Sequence, residues 1–403
     1  MAGSIAIPRS GAPATTAAPR IDANPDLVPF LKWPGGKSLE LDSIAAAAPP
    51  LTGRYIDPFV GGGSVLLAVP VAVPALANDA CRDLVELYTS AAAGDPTLGS
   101  AIDGLAGAWD DLAGLDTLYA ELALAERTPD DDGSVALGAH NGILQRVLAQ
   151  AGPGLATAFD GRVARELRAK FLRIRRLEAR HGSLSAADLL ANVEGAVRAS
   201  VYTAVRARYN AARIANRWDA IRAADFLFLR EYAYAAMFRF NRRDAFNVPY
   251  GGISYNRKSL RDKARVLFGR PMLERLTATA FRSQDFEPFL EACAPAGDDF
   301  VFVDPPYDSD FSAYDNRPFG AADQVRLESV LAAMPARVMV VIKDAPAIRA
   351  LYAADRWQVV EAPKTYMWTI KSRNDHRATH LTITNYTVAA LSATYPSSRG
   401  TAD

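Results

Sequence analysis

Histidine and cysteine are scarce in this chain of 403 residues, which has four of the first and two of the second. Cys81 and Cys293 make no metal-ligand spacing, and so few thiols exclude a disulfide framework and suggest a reducing compartment. The scattered histidines argue against a His-rich metal site, and no metal is expected. Net charge is absent too. Lys+Arg and Asp+Glu balance at 45 each, so any nucleic-acid surface must be local. No apolar run reaches the roughly 18 residues of a membrane span, and the first residues lack the apolar core of a secretory signal. What remains is a cytoplasmic enzyme or binding protein with no membrane partner. The chain is 50% hydrophobic and 22% charged, a globular balance. Its length allows more than one domain, since single cores stop growing near about 250–300 residues.

Residues 1–26 are mostly Ala, Pro, Gly, Ser and Thr and predict a disordered leader, with 391–403 as a similar tail. Early Arg9 and Arg20 with few acids also permit a transit peptide, although plain disorder is the favoured reading. "RYIDPFVGGGSVLLAV" (54–69) predicts strand, glycine turn and helix, and "ALANDACRDLVELY" (75–88) a second strand tip and helix. From 90 to about 235 the chain is Ala-, Leu- and Arg-rich with helical spacing, broken by loops at 129–133 and 152–154. Within it, Val163, Leu167, Phe171, Ile174 and Leu177 predict one buried stripe on a strongly basic helix, 162–180. Residues 236–270 look like loop or hairpin. Then follow the strand "FVFV", a helix near 321–333, the strand "RVMVVIKD" (337–344), a helix at 345–354, and late strands "TYMWTI" and "HLTITNY". Strands alternating with helices predict an α/β fold with a mainly parallel sheet, interrupted by a large helical insertion.

Chemistry concentrates at strand ends. Gly61, Gly62 and Gly63 offer positive φ and a close ligand approach after a strand. About 20 residues on, Asp79 stands where an acid can accept from ribose hydroxyls. Alone this indicates a nucleoside-containing ligand, and a plain glycine turn with a surface acid is equally common. "WPGGKS" (33–38) ends like a phosphate-binding loop but has Leu31 where the first glycine belongs, so that reading is rejected. In "FVFVDPPY" the prolines cannot extend the strand, and they hold Asp304 and Tyr307 on a rigid corner at its carboxyl end.

With "FLKWPGGK", "YIDPFVGGGSV", "ND", "RFNRRDAFNVPYGG", "SQDF" and "DPPY" in that order, the chain resembles the Dam-type, α-group DNA N6-adenine methyltransferases. The likeness covers roughly 28–90 and 200–388; about 94–200 has no counterpart in it. The resemblance implies a Rossmann-like fold dependent on S-adenosyl-L-methionine, with a seven-stranded, mostly parallel sheet and an inserted, mainly helical target-recognition domain. It divides the chain into a first methyltransferase part at 27–90, the insertion and DNA-binding region at 91–270, and a second methyltransferase part at 271–390. Trp33, Lys37, Asp57, Phe59, Gly61, Gly62, Gly63, Asp79, Asp285, Phe286 and Asp304 match cofactor-binding positions. Asp304, Pro305, Pro306 and Tyr307 match the catalytic motif. Blander alternatives stand beside these: a core aromatic for Trp33, a solvated cation for Lys37, a helix cap for Asp285.

What the resemblance implies for chemistry is methylation of a flipped adenine in double-stranded DNA. An acid and the Pro305 carbonyl would accept the amine's two N–H bonds, and Tyr307 would stack on the base. Arg239, Asn241, Arg242, Arg243, Asn247, Tyr250, Tyr255, Arg257 and Lys258 are the expected DNA contacts, against the alternative of a charged surface hairpin. Arg373 and Asn374 are equally a pocket or phosphate contact or a surface turn. RNA adenine, DNA cytosine N4 and a non-catalytic DNA-binding role are the rivals. No Pro-Cys dipeptide exists for a covalent cytosine mechanism. A restriction or defence-system protein is the further partner considered.

Overall fold

The computed structural model describes residues 18–388 apart from 23, 25–26, 129–130, 132, 156–161, 307–318 and 366–376. Seven strands form one sheet: β1 (Tyr55–Asp57), β2 (Ala75–Asn78), β3 (Thr279–Arg282), β4 (Phe300–Val303), β5 (Arg337–Lys343), β6 (Gln358–Thr365) and β7 (Arg377–Thr384). Their order is β3-β2-β1-β4-β5-β7-β6. The first five pair in parallel, and β7 runs antiparallel between β5 and β6. β1, β2 and β4 are buried along their whole length, as their unbroken apolar runs require in a sheet covered on both faces. Successive side chains divide between two cores. Tyr55, Ala75, Ala77, Phe300, Phe302 and Met339 face one, and Ile56, Leu76, Val301, Val303, Val338 and Val340 face the other.

From β1 the chain builds outward to β2 and β3, then returns to place β4 on the other side of β1. The strand order therefore reverses between β1 and β4. In open α/β sheets such a switch point leaves a crevice at the strands' carboxyl ends, and that crevice holds the site.

Three expectations need correction. The glycine turn leads into a single 3-10 turn, Leu66–Ala68, not an α-helix. Pro70 and Pro74 follow it, and the intervening valines are β-branched, so a helix has no room to propagate. The sixth strand is β6 at Gln358–Thr365, upstream of the expected "TYMWTI", whose residues past Thr365 lie outside the described ones. β6 is an edge strand paired only with β7, which tolerates its Pro363. Packing also begins before the expected boundary at 27: Ile21 is buried, the Asp22 N–H donates to the Ala68 carbonyl at 3.0 Å, and that of Leu51 to Pro19 at 2.7 Å. The rest of the expected leader, 1–17, and the tail, 391–403, lie outside the described residues.

Between β2 and β3 stands the helical layer, including Pro96–Asp111, Asp116–Arg127, Ser134–Gln150, Arg162–His181, Ala186–Ile214 and Ala220–Tyr232. Trp109 ties it together, its ring 5.3, 4.1 and 5.7 Å from those of Phe228, Tyr232 and Tyr250. The Arg198 guanidinium donates to its carbonyl at 2.8 Å. On the basic helix Val163, Leu167, Phe171 and Ile174 are buried, but Leu177 is 45% exposed, because 100° per residue carries it off the stripe. No helix among the described residues is long and apolar enough to cross a membrane.

Candidate active site

Asp57 ends β1 and is buried. Tyr55, two residues earlier and so on the same face, donates its hydroxyl to Asp57 Oδ2 at 2.9 Å, and the Phe59 N–H donates to Oδ1 at 3.1 Å. Burial pushes this carboxyl up to about 7, and the nearby charges of Asp304 and Asp79 push the same way, against the two hydrogen bonds. Asp79, just past β2, accepts from the Gly61 N–H at 2.9 Å and the Cys81 N–H at 2.8 Å. Burial raises it to about 6. Asn78 staples the adjoining loops, donating to the carbonyls of Pro58 at 3.1 Å and Gln284 at 3.0 Å.

Gly61 has φ +48°, and a Cβ there would lie 2.7 Å from Trp33 Cδ1. The group approaching this backbone most closely is thus the protein's own indole. Trp33 is half-buried on the turn, and the Arg230 guanidinium lies 4.9 Å from its ring. Arg230 in turn donates to the carbonyls of Lys32 and Ala236.

Lys37 is 2% exposed, and its Nζ reaches Asp304 Oδ1 at 2.5 Å and the Gly35 carbonyl at 2.9 Å. Far from being a solvated cation, it pins the acid at the end of β4. The corner itself is held by Gln324, whose Nε2 donates to the Pro306 carbonyl at 3.3 Å. Tyr307 lies outside the described residues.

Asp285 caps the helix Phe286–Cys293, accepting from the Glu287 N–H at 3.0 Å. Both its oxygens also take Arg326, at 3.0 and 2.9 Å. The same guanidinium sits 4.4 Å from the Phe286 ring, and it is raised above its ordinary value chiefly by the Asp285 hydrogen bond. Phe59, Phe286 and Phe319 form an aromatic trio with centroids 5.6 to 5.8 Å apart.

Most of these groups line one cleft of about 1080 Å³. It brings together Trp33, Lys37, Asp57, Phe59, the three glycines, Asp79, Asp285, Phe286, Asp304, Pro305 and Pro306, and adds Asn78, Arg213, Asp244, Phe319 and Arg326. Sequence reasoning missed the added set. Arg213 pairs with Asp244 at 2.9 Å and brings the helical layer over the cleft.

The expected DNA contacts lie elsewhere and divide in two. Arg239, Arg242, Arg243, Asn247 and Arg257 are exposed. Asn241 shapes the hairpin turn, its Oδ1 accepting from the N–H groups of Arg243 at 2.9 Å and Ala245 at 3.1 Å. Tyr250 is half-buried and bonds Asn256 at 2.8 Å, and Tyr255 accepts from the Ala235 N–H at 3.0 Å. Lys258 donates to the Glu231 carbonyl at 2.8 Å and lies 3.5 Å from the Tyr255 ring centre, and burial lowers it to about 8. Arg373 and Asn374 fall outside the described residues. Among the described residues no cluster of three or more His, Cys, Asp or Glu side chains is arranged to hold a metal ion.

A parallel sheet that reverses order at β1 and β4, with a glycine turn after β1 and acids after β1, β2, β3 and β4, has the architecture of an S-adenosylmethionine-dependent methyltransferase. Residues 33–104 and 185–366, well over half of the chain, match the D12 class N6 adenine-specific DNA methyltransferases, and the chain belongs to that family. It is 30% identical over 167 residues to the type II methyltransferase M.CviBI of Paramecium bursaria Chlorella virus NC1A, covering 41% of this chain and 61% of that protein. To the type II methyltransferase M1.LlaDCHI of Lactococcus lactis subsp. cremoris it is 29% identical over 209 residues, 49% of this chain and 70% of the relative. The retron Ec67 DNA adenine methylase of Escherichia coli is 34% identical over 137 residues, 33% of this chain and 45% of the relative. Residues 105–184 lie between the two matched segments.

Proposed function

We propose that this chain transfers a methyl group from S-adenosyl-L-methionine to the N6 amine of an adenine in double-stranded DNA. The carrying observation is that Asp57 and Asp304 end the two strands flanking the switch point and open into one cleft with the glycine turn. The donor set suits the cofactor. Buried carboxylates supplied with little positive charge favour a cation, Asp79 has lone pairs left for hydroxyls, and the phenylalanine trio offers a flat apolar wall for an adenine ring. Trp33, Asp57, Gly61, Asp79 and Phe286 would hold it. When bound, the cofactor would supply an electrophilic methyl group on a positively charged sulfur.

The chain's own residues then have to shape the amine and hold it in line. An exocyclic adenine nitrogen is a poor nucleophile because its lone pair is delocalised into the ring. Asp304 and the Pro305 carbonyl accept its two N–H bonds, which favours a tetrahedral nitrogen and exposes that lone pair. Lys37 occupies Oδ1 of Asp304 and so orients the second oxygen toward the amine. Alignment of this kind supplies several kcal/mol, up to about 7–11 in the best cases. As positive charge grows on nitrogen, the carboxylate stabilises it in place. The exposed arginines of the hairpin hold phosphates while the base leaves the stack, at a cost of a few kcal/mol. The reading carries a cytoplasmic location and, with type II methyltransferases among the relatives, a restriction or defence partner.

Labelled methyl transfer to plasmid DNA tests this. Asp304→Ala is expected to lose at least about 10²–10³-fold in rate, as when an oriented charge-stabilising group is removed. Retained incorporation by the variant would end the assignment. Sequencing the product for N6-methyladenine separates it from cytosine N4 transfer, and an RNA substrate run alongside separates the remaining rival.

A further inference from the structure

The segment 105–184 is unmatched by the family and holds the most basic helix of the chain, Arg162–His181, with eight Arg and Lys against two Glu. We propose that the outer face of this helix is a second DNA-backbone surface, which lengthens the footprint beyond the hairpin; the idea rests on the reading of this chain as a DNA methyltransferase. Val163, Leu167, Phe171 and Ile174 point inward. At 100° per residue, Arg165, Arg173, Arg176 and Arg180 point the opposite way, and all four are exposed.

Surface helices commonly interleave acids with bases at three- and four-residue spacing, which gains about 0.2–0.5 kcal/mol per pair. Here Arg173 and Arg176 are three apart and Arg176 and Arg180 four apart, so like charges adjoin. No carboxylate among the described residues pairs with any of the four. Two of the nearby acids are turned away. Glu178 binds Arg127 at 2.9 Å and the Leu184 N–H at 2.7 Å, and buried Glu126 faces Arg175 at 3.4 Å. In a chain whose charges balance overall, this is a concentrated and uncompensated strip about 22 Å long, from the helical rise of about 1.5 Å per residue. A row of phosphates complements it in sign and extent.

The helix is also tied to the DNA-facing hairpin. A four-residue connection, 182–185, turns it back along the helix Ala186–Ile214. That helix grips the hairpin directly: Tyr202 and Arg206 donate to the Val248 carbonyl at 3.0 and 2.9 Å, and Asn210 exchanges bonds with Phe246 at 3.0 and 2.9 Å. The helix Ala186–Ile214 thus packs against both the basic helix and the hairpin.

The test is equilibrium binding of the full chain to duplexes of about 12 and about 30 base pairs across a salt series, comparing wild type with Arg165→Gln/Arg173→Gln/Arg176→Gln/Arg180→Gln. Glutamine keeps helix propensity. On the long duplex the slope of log K against log salt is expected to fall by about 3–4, from about 0.9 per lost contact. The short duplex should lose less, and the methyl-transfer rate at saturating DNA should not change. If the quadruple variant fails to fold, Arg176→Gln alone should lower the slope by about 0.9. An unchanged long-duplex slope would overturn the proposal and leave the face to an acidic protein partner. Wild-type binding with the expected slope but no transferred methyl would instead count against the catalytic reading alone.

Discussion

The two ends of β1 and β4 make the sharpest contrast in the molecule. At their amino ends Arg54 and Asp299 are locked together. Asp299 accepts from the Arg54 N–H at 2.8 Å, from its guanidinium at 2.6 and 3.2 Å, and from the Ala296 N–H at 2.8 Å. Burial works against that charge, but the hydrogen bonds from Arg54 and Ala296 overcome it and hold the carboxyl below its ordinary range. At the carboxyl ends Asp57 is as deeply buried, yet it receives a phenol and one N–H instead of a guanidinium and is pushed up to about 7. Burial is common to both ends, so it does not mark a functional acid. At the end of β1 compensation is missing and Asp57 is left wanting a cation, whereas Asp304 at the end of β4 already holds Lys37 at 2.5 Å.

Breaking the compensated end should have the largest effect on stability. Asp299→Ala strands a buried guanidinium and is expected to cost about 3–5 kcal/mol. The urea midpoint should fall accordingly, while methyl transfer per folded molecule stays within a few-fold of wild type. Asp304→Ala strands buried Lys37 and so should lower the midpoint as well, but it should lose far more rate than Asp299→Ala does. If both variants lost rate alike, the two ends would not differ in kind.

The same contrast governs what the sequence made legible. Asp57, Asp79 and Asp304 follow apolar runs directly, so the strand that positions each is written beside it. Arg326 reaches Asp285 from a helix 41 positions along, and Arg213 reaches Asp244 from 31 away; nothing local announces either contact. Arg230 did carry a signal, as a lone cation inside "FLFLREY", and such an arginine is buried only with partners. The helix expected after the glycines failed because Pro70 and the valines outweighed the local apolar pattern. Tyr250 and Lys258 look like DNA contacts in composition, and only the packing of Trp109, Glu231 and Tyr255 around them shows that they are held by the protein itself.

A smaller effect probes the turn between the acids. Gly61 and Gly35 both have positive φ, +48° and +80°, but only Gly61 abuts the Trp33 ring, and Gly35 faces open space. Gly35→Ala should therefore cost backbone strain alone, about 1 kcal/mol. Gly61→Ala should cost about 2–3 kcal/mol, because the indole must move as well. Thermal midpoints measure both, and a shift in tryptophan emission is expected for Gly61→Ala only. Equal losses would mean that Trp33 does not rest on the turn.

The subtlest expectation concerns protons at the uncompensated end. Asp57 rises from 3.8 to about 7 on folding, so between those values the folded chain binds more protons than the unfolded one. Its contribution to stability is complete below about pH 4 and is lost as pH rises through about 7. A positively charged ligand reverses the balance, since it favours the carboxylate and expels the proton. Affinity for S-adenosyl-L-methionine should thus climb about tenfold from pH 6 toward pH 8, equivalent to one pKa unit of coupling, and then level off. Asp79, raised by burial to about 6, adds to the lower part of that rise. In Asp57→Asn the climb should shrink and the apo chain should keep its stability better above neutral pH. Calorimetric titration at several pH values reads both affinity and proton release. A variant with the wild-type pH profile would show that the cation is met elsewhere, and the contrast between the two strand ends would then concern stability alone.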